Sequence, residues 1–136
     1  MRWIDTNVFI HYFTVDDPAK TAASLALFQR VREGNEELLL SEAIVAEIIY
    51  VLSSRGQYKL PRAHISALLD PVLRMPGLVL PHKEVCLRAI ELYAASSRLD
   101  FEDALGLAHM ERAGLDHIVS YDRDFDRVGG VVRDEP

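Results

Sequence analysis

Three short runs, Leu38-Leu39-Leu40, Leu78-Leu80 and Ile118-Val119, hold no polar residue, and segments with helical periodicity separate them. A strand that is apolar on both faces must be covered on both faces. That is the situation of a parallel sheet between layers of helices. Trp3-Ile4 reads as a first strand of the same kind and Val131-Val132 as a weak last one. Turn and cap residues bound the segments between them. Pro18 suits the first turn of a helix that Gly34 ends. Ser41 is placed to cap a helix over 42–55 that stops at Gly56, and Pro61 opens another to about residue 74. A helix over 82–97 follows, then one capped by Asp100 and ended by Gly114. The expected fold is α/β: a three-layer α/β/α sandwich around a short parallel sheet of four or five strands, with residues 1–136 as a single domain.

No apolar run approaches the roughly 20 residues needed to cross a bilayer, and the first residues do not read as a signal peptide. A cytoplasmic protein, with no membrane partner, is therefore expected. Cys86, the one cysteine, has no internal partner and falls in an apolar helix pattern, so it reads as a core residue. The formal net charge of −6 disfavours a module that holds nucleic acid by neutralising phosphates alone. It does not disfavour an enzyme whose acids hold divalent cations, because a bound cation reverses the local field.

The sheet topology orders the acids. Asp5 lies at the carboxyl end of the first strand, where α/β sheets bind ligands. Taken alone it is as well explained as a helix cap. Asp122 lies just past the fourth strand, at the same edge. Glu47 is less than about 10 Å from the start of its helix, at about 1.5 Å per residue, on a face with Ile44, Ile48 and Val51. Asp103 sits in the first turn of the helix that Asp100 caps, and that turn too must lie at the carboxyl edge. Each acid has a local explanation: Glu47 could pair with an arginine, Asp103 could complete a capping box, and Asp122 could be a turn residue. Four such coincidences on one edge are much less expected than one. Carboxylates gathered there would repel one another, and a divalent cation relieves the repulsion. Oxygen-only ligands select Mg²⁺ or Mn²⁺ over zinc.

The stretches Ile4–Val8, Ser41–Glu47, Phe101–Leu105 and Ser120–Phe125, in this order and spacing, resemble the PIN domain family and, within it, the virulence-associated protein C (VapC) type of toxin. The resemblance implies a Mg²⁺- or Mn²⁺-dependent endoribonuclease, a hydrolase of RNA phosphodiester bonds. Asp5, Glu47, Asp103 and Asp122 fall on the family's metal-holding acidic quartet, with Thr6 and Ser120 as small polar residues beside it. Asp124 is a further candidate beside Asp122, and Asp100 a lesser alternative to Asp103. A toxin of this type implies a cognate antitoxin partner and a homodimer or higher assembly. Arg55, Lys59, Arg98, Arg112 and Arg123 are candidate guides for an RNA backbone, and Tyr12, Phe13 and Tyr121 candidate stacking platforms.

Two rival phosphoryl chemistries fit poorly. A dehalogenase-like phosphatase needs a second Asp where Asn7 stands, and a phosphate-accepting receiver domain needs a late lysine, whereas none follows Lys83. A housekeeping RNA-processing nuclease and a catalytically silent binding module remain alternatives to the toxin.

Overall fold

The computed structural model describes residues 1–136. β1 (Arg2–Trp3) leads into α1 (Thr6–Phe13) and α2 (Pro18–Arg32), then β2 (Leu38–Leu39), α3 (Glu42–Ser53) and α4 (Arg62–Leu73). β3 (Leu78–Val79), α5 (Lys83–Ala95), α6 (Phe101–Ala113) and β4 (His117–Val119) follow; a 3-10 turn at Arg123–Arg127 and β5 (Val132–Asp134) complete the chain. The result is the three-layer α/β/α arrangement, with all strand pairs parallel.

The helix boundaries have local causes. Pro18 occupies the first turn of α2, and the Asp17 carboxylate accepts the Lys20 N–H there. Asp100 does the same for α6, accepting the Asp103 N–H at 2.8 Å. Gly114 ends α6 in the left-handed conformation at φ 71°, which glycine adopts at no steric cost. Ser41 stands at the cap position of α3, but its hydroxyl caps nothing.

The five strands make two ladders. β1, β2 and β3 pair in that order, with Arg2 opposite Leu38 and Leu38 opposite Leu78. Backbone bonds from Ile4 to Leu39 (3.0 Å) and from Leu40 to Val79 (3.1 Å) carry the pairing towards the carboxyl edge. β4 and β5 form a separate ladder, with His117 opposite Val132. Burial explains the division. Leu38, Leu40, Leu78 and Leu80 belong to the main core, with Phe9, Phe28, Ile48, Leu52 and Leu69. Ile118 packs instead against a small second cluster of Leu99, Leu107 and Phe125, and Val119 is largely exposed. The fourth strand is therefore not the doubly covered strand that its apolar residues suggest.

α2 and β3 meet closely at Gly77. Its N–H bonds to the Val31 carbonyl at 3.0 Å. A Cβ there would stand 2.0 Å from the Glu36 carbonyl oxygen.

Candidate active site

Ile4 is buried and held to β2, so the residue after it emerges at the end of the strand. Asp5 occupies the N-cap position of α1, with φ −96° and ψ 160°, yet its carboxylate accepts no cap hydrogen bond. The capping explanation for Asp5 therefore loses its physical basis, and the carboxylate stands exposed at the edge. The next residue, Thr6, is buried, and its hydroxyl donates to Glu47 Oε2 at 2.8 Å. This bond ties α1 to α3 and brings the Asp5 and Glu47 segments side by side. Ile44 and Ile48 are buried as their face requires, whereas Glu47 stands at the exposed margin of that face rather than within the core. Its polar partner is the Thr6 hydroxyl, not an arginine.

A second acidic group forms where α6 starts and β4 ends. Burial holds the Asp103 carboxyl well above its ordinary range, at about 6, and the neighbouring Asp100 and Asp122 charges push the same way. Asp100 Oδ1 accepts the Asp103 N–H, so Asp100 is the N-cap of α6 and Asp103 the acid whose carboxyl burial raises. Asp122 also has a local role, since its Oδ1 accepts the Asp124 N–H at 2.9 Å, and Ser120 Oγ accepts the Asp122 N–H at 3.0 Å. Asp124 lies 3.9 Å from Arg98, a partner outside the acidic group. Arg133, with a side chain only 11% exposed, anchors the loop by donating to the Ser120 carbonyl at 3.0 Å and to Asp126 at 2.9 Å.

The two groups are related through α3 and α6. Glu42, at the start of α3, contacts His109 in the second half of α6 at 2.8 Å. Tyr50 and Ser53, near the end of α3, share a cavity of about 520 Å³ with Asp100 and Glu102 at the start of α6. The helices are thus antiparallel. Counting at about 1.5 Å per residue from the Glu42–His109 contact, Glu47 lies about 7.5 Å along α3 and Asp103 about 9 Å along α6, at nearly the same level.

No three His, Cys, Asp or Glu side chains converge closely enough to hold an ion. The four acids expected together form two groups, Asp5 with Glu47 through Thr6, and Asp103 with Asp122 beside Asp100. The donor chemistry of both groups is oxygen only, which suits Mg²⁺ or Mn²⁺ and not zinc. Burial first, and the Asp100 and Asp122 charges after it, raise the Asp103 carboxyl, and a divalent cation beside it would favour its ionised form.

Of the aromatic candidates, Tyr121 is exposed beside Asp122. Tyr12 packs on Phe28, with ring centroids 4.5 Å apart, and Phe13 is half-buried beside it, so neither ring is as open as Tyr121. Sequence reasoning missed Tyr50, which is exposed one helical turn beyond Glu47. It also missed Arg133 and the Glu42–His109 pair. The Tyr50 signal was its i+3 spacing from Glu47; the other two had none.

The family profile of the PIN domain matches residues 3–131, so the chain belongs to the PIN domain family. Members of this family are generally metal-dependent nucleases that act on RNA. Among curated proteins no match is found.

Proposed function

We propose that this chain is a Mg²⁺- or Mn²⁺-dependent endoribonuclease that hydrolyses RNA phosphodiester bonds through Asp5, Glu47, Asp103 and Asp122. The observation that carries this reading is the PIN family match over residues 3–131, and the Asp103 carboxyl, raised by burial and by the Asp100 and Asp122 charges, is consistent with it. A bound divalent cation would supply Lewis acidity at the phosphate and a water that ionises near neutral pH. The chain's own residues arrange what receives it. Asp5 offers a carboxylate free of any cap bond. Thr6 holds Glu47 in one orientation through its hydroxyl. The Asp100 cap fixes the first turn of α6 and thereby aims Asp103. Ser120 and Arg133 fix the loop that carries Asp122, leaving its second oxygen available. Tyr121, exposed beside that loop, is placed to stack on an unpaired base.

The same reading takes residues 1–136 as one nuclease domain acting in the cytoplasm. No helix is long and apolar enough to cross a membrane. The toxin role, with a cognate antitoxin and a homodimer or higher assembly, is supported by the likeness of the four motifs to the virulence-associated protein C type. Growth arrest on expression that a neighbouring gene relieves supports the toxin. Cleavage without arrest favours a housekeeping nuclease.

The test of the chemistry is Asp5→Asn. Because Asp5 makes no cap bond, this variant should keep its circular dichroism spectrum and lose Mg²⁺-dependent cleavage of RNA. Cleavage at the normal rate would refute the assignment, and a wild-type protein with no Mn²⁺ site by calorimetry would indicate a silent binding module.

A further inference from the structure

The Glu42–His109 contact lies outside both acidic groups, and the reaction proposed above gives it no role. Glu42 is the first residue of α3, and His109 stands six residues beyond Asp103 on α6. Their side chains, 31% and 41% exposed, meet at 2.8 Å at one end of an antiparallel helix pair. α6 packs along its length on α5 but meets α3 over only a short stretch, so the Glu42–His109 contact is one of the few direct ties between α3 and α6. A directional polar contact defines a helix register, and registry is the best-attested use of a partly buried polar pair. We propose that Glu42 and His109 are a positioning pair that sets the axial register of α3 against α6 and so holds Glu47 level with Asp103.

This rests on the acid-site reading and adds to it a dependence on two residues that touch no metal or substrate. A slip of one residue along either helix is about 1.5 Å. That is large against the near-ideal octahedral geometry that Mg²⁺ demands, at about 2.0–2.1 Å from each oxygen. Losing the pair should therefore spoil ion binding while leaving the core intact. Loss of orienting partners around metal ligands commonly costs about 10–100-fold in affinity.

The experiment is Mn²⁺ calorimetry on the full chain, with melting curves in the same buffer. The variants are Glu42→Ala, His109→Ala, the double variant and Glu42→Gln, with Asp5→Asn as the control for the acid site. Each alanine variant should bind Mn²⁺ about tenfold more weakly and melt within a few degrees of wild type. The double variant should bind no worse than the weaker single one, since the two residues act as a unit. Glu42→Gln, which can still accept the His109 N–H, should recover most of the affinity, an outcome that loss of stability alone would not give. Unchanged affinity in both alanine variants overturns the proposal, as do losses that add in the double variant. Should His109→Ala not fold, equal affinity in Glu42→Gln and Glu42→Ala overturns it. A wild-type protein without an Mn²⁺ site that Asp5→Asn weakens removes the acid-site reading and this inference with it.

Discussion

Asp103 makes the electrostatics of the acidic edge measurable without RNA or metal. Its carboxyl titrates near 3.8 in the unfolded chain and near 6 in the fold, because burial and the Asp100 and Asp122 charges disfavour ionisation. The folded state thus binds this proton more tightly than the unfolded state. Its destabilising effect is absent below about pH 4, grows as the pH rises towards about 6, and is complete above it. Each unit is about 1.4 kcal/mol, so two units set an upper figure of about 3 kcal/mol. Asp103 is only half-buried, and solvent screening brings the expected effect to about 1–2 kcal/mol. Asp103→Asn removes the charge and keeps the shape. In chelator at pH 7.5 it should be more stable than wild type by that amount, or about 3–8 °C in Tm for a domain of this size. At pH 4 the two proteins should melt together, because wild-type Asp103 is then protonated. Urea melts at the two pH values give the comparison. If Asp103→Asn is less stable than wild type by the same margin at both, the carboxyl serves as a capping-box partner, and the argument from charge fails.

Two further expectations concern the core. Gly77→Ala would drive a Cβ to within 2.0 Å of one backbone oxygen and 2.8 Å of another, neither of which can swing aside. A loss of at least about 2 kcal/mol in urea unfolding is expected, and a loss below about 0.5 kcal/mol would refute the close approach. Cys86 is fully buried, and burial, reinforced by the Glu42 and Glu84 charges, pushes its thiol up to about 12. A thiol reagent at pH 7 should leave it unmodified in the folded protein and label it in urea; labelling of the native state at the rate of a free thiol would show that this part of the core opens.

What the sequence conveys well is local. Pro18 at the start of α2, and Asp100 and Gly114 at the two ends of α6, each act through bonds within a few residues of themselves, and all three stand where the sequence puts them. The apolar character of Leu38–Leu40 and Leu78–Leu80 likewise predicts strands that enter the main core. Ile118-Val119 carries the same signal and behaves differently, because which cluster a strand joins depends on packing partners far away in the chain.

The same limit applies to the acids. Helical periodicity puts Glu47 beside Ile44 and Ile48 but does not say that Thr6, 41 residues earlier, supplies its hydrogen bond. Nor does it say that Glu42 meets His109, 67 residues later. Asp5, Asp103 and Asp122 each stand at the start of a helix or turn, and their local bonds differ. Asp5 makes no cap bond. At Asp103 the cap is supplied by Asp100, through the Asp103 N–H. At Asp122 one oxygen caps the following turn, so the two roles coexist in one carboxylate. A motif therefore identifies which acids to consider, but contacts between elements far apart in the chain, such as Thr6 with Glu47, decide how they are oriented. That is why a contact as unmarked in sequence as that of Glu42 with His109 is expected to affect ion binding although neither residue is an ion ligand.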